Sequence, residues 1–405
     1  MSPQAEDSED PLIHILEIAG NAIIGGMEKY VYNIAQHLPA KQFNITCITP
    51  YESAFTASLR HLGCEVYTTP MDDDPPWRSI QFVTELIRHQ KVDLIHAHLP
   101  RAHVLAGLAG RLTGIPVVAT VHGMDITAQD LGISMTTGSH LTVVCQAAYS
   151  QALALGMPPE RLTLIPNGVD IKTFSPNRTG AAFRKSLRIP SNVPLVGFVG
   201  RMAWEKGPDQ FFRMAEHVHK RHPDALFVLV GEGPMEAELD EMIKSANLQD
   251  IIRLAGVWTN VWEVYPAFDV LAQTSRVEGM PFVLLEAMAC GRPVVAMAVG
   301  GVAEIIEVGS TGFVSANGDW AGLADALIKL LAKPEQSKQM GQSARRRVEE
   351  LYDLRSSIRL LVNLFCRLVG RPVPAEEILH PNWPVARQEQ EAAVLNPNAA
   401  FPQDR

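Results

Sequence analysis

The chain has 405 residues, 47% apolar and 20% charged, the balance of an ordinary globular protein and too long for one compact core, so two domains are expected. A net charge of −9 argues against general nucleic-acid binding and shows no polybasic membrane footprint, while leaving open peripheral membrane contact through a local patch. No apolar stretch exceeds strand length, residues 1–10 lack the pattern of a signal peptide, and the five cysteines are scattered without metal-binding spacing; a cytoplasmic protein with reduced thiols is the expectation.

In chain order, short β-rich runs alternate with helical patterns. Strands are predicted at Leu12–Ile18, Phe43–Thr49, Val92–His96, Pro116–Val121, Leu141–Cys145 and Arg161–Ile165. Between the first two lies a helix over Met27–Leu38, where Val31, Ile34, Ala35 and Leu38 form one apolar stripe; Ser79–Gln90 and Arg101–Thr113 are similar. The proline-bearing, polar stretch Asp170–Val193 reads as an interdomain linker. Strands resume at Leu195–Val199, Leu226–Val230, Ile251–Ala255, Val270–Gln273 and Pro293–Met297, and a helical pattern over Pro334–Leu368 closes the second domain.

This alternation predicts an α/β chain of two doubly wound, Rossmann-like parallel-sheet domains, residues 11–170 and 194–370, joined by 171–193 and facing one another across a cleft. Residues 1–10 and at least part of 371–405 read as disordered, the latter having no packing period from about Pro381 onward. Ligands of such folds bind beyond the carboxyl ends of the strands, which makes the cleft the expected site.

Several motifs fall at those strand ends. Gly200-Arg201-Met-Ala-Trp-Glu-Lys206-Gly207 follows a strand directly; a guanidinium fork and an ammonium beside glycines suit a diphosphate, although two solvated cations in a turn would look the same. Gly25-Gly26 opens the first helix, where an anion can approach the backbone, or where the chain merely turns. Gly231-Glu-Gly-Pro234 could seat a nucleotide base, and Gly300-Gly301 is a second candidate anion cradle. His96-Ala-His98 raises a metal site, since residues two apart share a strand face, but no third ligand stands at a matching spacing; hydrogen bonds to neighbouring backbone are the simpler role. His122, followed by glycine at the end of the next strand, is the better functional candidate. Glu278 and Glu286, eight apart, bracket a helix start at Met280-Pro281-Phe282-Val283: one carboxylate and several free N–H groups face a common point, with the second carboxylate roughly two turns on.

Together, in this order, these pieces resemble the family-4 retaining glycosyltransferases of the GT-B fold, from about Ile13 to Leu361. The matching segments are Gly25-Gly26-Met-Glu, Asp93-Leu-Ile-His-Ala-His98, Thr120-Val-His122-Gly, Pro166-Asn-Gly-Val-Asp170, Gly200 to Gly207, and Glu278 to Glu286 with Ala-Met-Ala-Cys-Gly-Arg-Pro after it. The resemblance implies transfer of a hexose from a nucleotide sugar, UDP-linked rather than GDP-linked, to a glycan or lipid-linked acceptor in envelope polysaccharide synthesis, without cofactor or metal. Catalytic roles would fall to His122, Arg201, Lys206 and Glu278. Donor contacts would come from Gly25, Gly26, Gly200, Arg201, Lys206, Gly231, from the Gly279, Met280, Phe282 and Val283 backbone, and from Glu286 at the ribose. Where the family often has Phe-Gly, this chain has Met280-Pro281, which removes one backbone donor. The alternatives are a non-catalytic sugar-nucleotide binder, an epimerase or phosphorylase on the same architecture, or a nicotinamide oxidoreductase, for which the Gly-x-Gly-x-x-Gly turn is missing.

Overall fold

A computed structural model describes residues 12–373; the expected disordered ends, 1–10 and nearly all of 371–405, lie outside the described residues. The first sheet contains β1 (Ile13–Ala19), β2 (Phe43–Thr49), β3 (Glu65–Thr68), β4 (Leu94–His98), β5 (Val117–Val121), β6 (His140–Val143) and β7 (Leu162–Leu164). Its order is β3-β2-β1-β4-β5-β6-β7. The second contains β8 (Leu195–Val199), β9 (Leu226–Val230), β10 (Ile252–Leu254), β11 (Val270–Gln273), β12 (Val294–Met297) and β13 (Gly312–Ser315) in the order β10-β9-β8-β11-β12-β13. Every pairing is parallel. The order reverses between β1 and β4 and between β8 and β11, so each sheet has its switch point, and its ligand crevice, at the centre.

Parallel strands covered on both faces require near-continuous apolar runs, and β1 is buried at all seven positions. Two strands are not predicted from the sequence, β3 and β13. Both are four-residue edge strands that stay largely half-exposed, so they have no apolar run to announce them. Among the described residues no helix is long and apolar enough to cross a membrane.

Two segments differ from expectation. The linker carries a short helix, Ala181–Ser186, and Phe183 is fully buried with its ring 5.1 Å from Trp258 and 5.9 Å from Phe268. One aromatic anchor thus packs a polar stretch onto the second sheet's unit. The pattern over Pro334–Leu368 is two helices, Pro334–Leu351 and Leu354–Val369, broken at Tyr352–Asp353, where the Asp353 side chain caps the second. That last helix does not close the second domain. It crosses back: the Leu354 N–H donates to Val169 O at 3.0 Å. Ile358, Leu361, Val362 and Phe365 then join Ile13, Tyr30, Ile34, Leu94 and Val118 in a core cluster of the first sheet.

Candidate active site

The carboxyl end of β11 runs into Thr274-Ser-Arg-Val-Glu278, and this turn locks onto the loop after β8. The Thr274 hydroxyl donates to Gly207 O at 2.7 Å, and a Cβ on Gly207 would lie 2.0 Å from Thr274 O. Arg276 donates through both terminal nitrogens to Asp209, at 2.8 and 2.6 Å, and to Trp204 O at 2.7 Å, with its guanidinium 5.1 Å above the Trp204 ring. The Arg276 charge holds the Asp209 carboxyl below its usual range against the opposing effect of burial. The fork–fork pair fixes the loop that carries Arg201 and Lys206.

Lys206 and Glu278 meet there. Lys206 Nζ donates to Glu278 Oε1 at 2.7 Å, and that oxygen also accepts from Gln273 Nε2 at 2.7 Å and Ser275 Oγ at 2.8 Å. Glu278 is only 7% exposed, so it is a buried, anchored carboxylate rather than an open surface group. No described residue donates to its other oxygen. Arg201, exposed on the same loop, makes no ion pair among the described residues. Glu278 leads directly into the helix Phe282–Ala289. Among the described residues, the N–H groups of Gly279, Met280, Phe282 and Val283 enter no turn or loop hydrogen bond, and with the helix dipole behind them they are donors of the kind that suits an anion or a set of hydroxyls. Pro281 is the N-cap, so the donor missing from this chain is one the helix start loses anyway.

The first domain supplies the opposite wall. A Cβ on Gly279 would stand 2.0 Å from His122 O, so only glycine lets the Glu278 loop reach His122. The Asn167 amide donates to Met280 O at 2.7 Å, and Gly301 N–H donates to Gly279 O at 2.6 Å. Glu304, on the short helix after Gly300-Gly301, accepts from Gln146 and Ala147 N–H at 2.9 and 3.2 Å, capping a helix of the first domain. Burial outweighs those hydrogen bonds and pushes its carboxyl above the usual range.

The structure gives two of the expected donor contacts partners within the protein and changes the expected bonding of His96 and His98. Gly25 and Gly26 do open the first helix, Gly26–His37, but Glu28 in its first turn lies against Gly25, where an added Cβ would stand 3.2 Å from Glu28 Oε2. That carboxylate already occupies part of the anion cradle. Glu286 lies at the helix face as spaced, yet it is 2% exposed, paired with Lys29 and accepting from the Tyr265 hydroxyl. Lys29 is sandwiched 4.8 Å from the Phe174 ring and 5.6 Å from that of Phe282, and burial lowers its pKa to about 8. Finally, His96 and His98 bond to side chains, not to backbone. His96 lies 3.0 Å from one Glu17 oxygen and 2.7 Å from Thr120 Oγ1; His98 lies 2.7 Å from the other Glu17 oxygen and 3.0 Å from His122 Nε2. Glu17, His96 and His98 hold ligand atoms within 4.8 Å of one another, but every ring nitrogen there is engaged with another side chain.

Gly200 and Gly231 lie where β8 and β9 end, close enough that a Cβ on Gly231 would meet Gly200 O at 2.0 Å. Beyond them, Gly233, Pro234, Glu236, Ala237, Asp240 and Leu254 line an open groove. Sequence reasoning missed Glu17, Lys29, Gln273, Ser275 and Arg276. Gln273-Thr-Ser275, polar residues ending an apolar strand, was a signal of the same kind as His96-Ala-His98.

Two family models cover nearly the whole folded chain: one described as Glycosyltransferase Family 4 matches residues 24–173, and one described as Glycosyl transferases group 1 matches residues 181–347. The chain belongs to the family-4 glycosyltransferases. This glycosyltransferase is 27% identical over 281 residues to the N-acetyl-alpha-D-glucosaminyl L-malate synthase of Bacillus anthracis, covering 67% of this chain and 73% of that one. It is 24% identical over 339 residues to the Escherichia coli UDP-Gal:alpha-D-GlcNAc-diphosphoundecaprenol alpha-1,3-galactosyltransferase, covering 78% and 88%. Among solved structures, Anabaena Alr3699/HepE in complex with UDP superposes with a TM-score of 0.76 at 21% identity, over 88% of this chain and all of that one. A glycosyltransferase from Rickettsia africae gives 0.78 at 20%, over 89% and 100%. The glycosyltransferase thus has the GT-B fold, with both doubly wound units present.

Proposed function

We propose that this glycosyltransferase moves a hexose from a nucleoside diphosphate sugar, UDP-linked, to a hydroxyl of a glycan or lipid-linked acceptor, with retention at the anomeric carbon. The observation that carries the reading is the joint of Lys206, Glu278 and the start of the helix Phe282–Ala289, closed by Gly279 against His122. Arg201 and Lys206 hold the diphosphate. The free oxygen of Glu278 and the N–H groups of Gly279, Met280, Phe282 and Val283 take the sugar hydroxyls, and the groove beyond Gly231 takes the base. Glu286 would take a ribose hydroxyl, because a carboxylate accepts at about four lone-pair positions and Lys29 and Tyr265 use two.

In the reaction the bond from the anomeric carbon to the phosphate oxygen breaks, and the leaving diphosphate gains charge. Arg201, Lys206 and the helix N-terminus take up that charge, which is where electrostatic catalysis has its largest effect. The acceptor oxygen bonds to the same face, and its proton passes to the leaving phosphate. Arg201 and Lys206 supply the charge neutralisation, so the reaction is proposed to need no metal or cofactor. Relatives support a nucleotide sugar without fixing the base: the E. coli relative is named for UDP-Gal, whereas a Corynebacterium glutamicum relative, 28% identical over 353 residues, is named GDP-mannose-dependent. The relatives' lipid-linked substrates also favour work at the inner face of a membrane. Incubation with UDP- and GDP-sugars, reading nucleotide release and the anomeric proton of the product by NMR, tests the proposal. An α-linked product from an α-linked UDP-sugar is expected; an inverted product rejects retention, and turnover of GDP-sugars alone rejects the base.

A further inference from the structure

Four buried polar side chains and the half-buried His122 form one chain of hydrogen bonds behind the candidate site. It runs from Thr120 to His96, Glu17, His98 and His122. Glu17, His96 and His98 are sealed from solvent, at 1%, 0% and 0% exposure, while His122 is half-buried at the cleft edge. The order of protons along the chain follows from its middle. Burial disfavours the Glu17 charge, but His96 and His98 more than compensate and hold the carboxyl at about 2. An ionised carboxylate only accepts, so His98 must carry its proton on Nε2. Desolvation, then His96, lowers His98 to about 4, and desolvation with its neighbours holds His122 well below its ordinary value. Both are neutral at pH 7. A neutral His98 with its proton on Nε2 offers a bare Nδ1, and its hydrogen-bond partner among the described residues is His122 Nε2 at 3.0 Å. His122 must therefore donate from Nε2, and its own Nδ1 is left bare. No described residue bonds to that Nδ1, and it is not among the atoms closed off from solvent.

We propose that Glu17 and His98 are positioning residues that hold His122 in its Nε2–H tautomer, so that Nδ1 presents a lone pair to a hydroxyl of the bound sugar. Tyr30 fixes the ring planes as well, packing edge-on 4.9 Å from the His122 ring and 5.7 Å from that of His98. The groups facing the chain from other elements are Tyr30 on the first helix and Cys47, opposite Glu17 in the β1–β2 register; neither is charged at neutral pH. The inference rests on the glycosyl-transfer reading only in naming the sugar hydroxyl. The tautomer itself belongs to the protein alone.

The test is a long-range proton–nitrogen NMR spectrum of the full chain labelled with ¹⁵N-histidine, at pH 7, with His122 assigned by the signals missing in His122→Asn. His122 is expected as one Nε2–H tautomer. An Nδ1–H form, an imidazolium, or an average of the two tautomers overturns the proposal, whatever the protein's activity. In His98→Phe the His122 signals should move to a tautomer average. A nucleotide-sugar turnover assay should show kcat falling about tenfold with KM little changed, the loss of roughly one well-placed hydrogen bond. A folded His98→Phe variant that keeps the pure Nε2–H form would show that His98 does not set it. If that variant does not fold, the wild-type spectrum still decides.

Discussion

Lys206 and Glu278 are one unit. Glu278 Oε1 satisfies three donors at once, and Lys206 is the one donor among them that also stands on the loop of Arg201. Glu278→Ala is therefore expected to remove sugar transfer and also to cost on the order of 1–3 kcal/mol of stability, because Gln273 and Ser275 lose their acceptor in a buried place. Folding that is nearly untouched, as a surface position would allow, contradicts this environment. Lys206→Ala should lose transfer while unfolding near the wild-type temperature, since its side chain is 32% exposed. Chemical denaturation of both variants, beside a turnover assay, separates the two effects. Glu278 and Lys206 were legible as residues from their motif, but their contact across 72 positions was not. It depends on Gly207 packing against the turn after β11, which only the folded backbone shows.

At the scale of elements, the central strands β1, β4 and β5 deliver the histidine chain, and its pH dependence follows. The folded pKa of Glu17 is depressed to about 2 and that of His98 to about 4. A depressed carboxylate contributes stability above its unfolded pKa and loses it as pH falls toward the folded value. A depressed histidine does the same between about 6.5 and about 4, because the unfolded chain binds the proton first. Both therefore act in one direction, and stability should fall from pH 6.5 to pH 4 by on the order of 2–3 kcal/mol from His98. Urea unfolding at pH 7 and pH 4.5 measures it, and equal midpoints would show that the two groups are not coupled as described. The apolar runs of these strands made them legible, as did the stripe of the first helix. The edge strands β3 and β13 were not, because a short strand with little buried face leaves no pattern. His96-Ala-His98 was visible, but its partner Glu17 sits on a strand 79 positions away, a distance that no local spacing reveals.

Across the whole molecule, the two units meet through shared apolar clusters and a few polar contacts. Glu304 caps the helix Gln146–Ala154, Lys29 pairs with Glu286, Asn167 holds Met280 O, and the helix Leu354–Val369 returns to the first sheet. Closure of two such units excludes water from a reactive donor. Glu304→Ala should loosen it, raising the radius of gyration in small-angle scattering and raising the donor KM several-fold, since a net hydrogen bond corresponds to roughly a tenfold change. An unchanged scattering curve would remove Glu304 from the closing contacts. The two-unit architecture was readable from strand–helix alternation. The crossing of the last helix was not, because an amphipathic pattern says what face is buried and not against which partner.

Whether the cleft holds a nucleoside diphosphate is decided by thermal unfolding of the wild type and of Lys206→Ala with UDP, GDP and NAD, without added metal. A ligand that binds only the folded state raises the melting temperature. UDP is expected to stabilise the wild type, with a smaller shift in Lys206→Ala and none from NAD. Stabilisation by NAD with none from either nucleoside diphosphate would contradict nucleoside diphosphate binding.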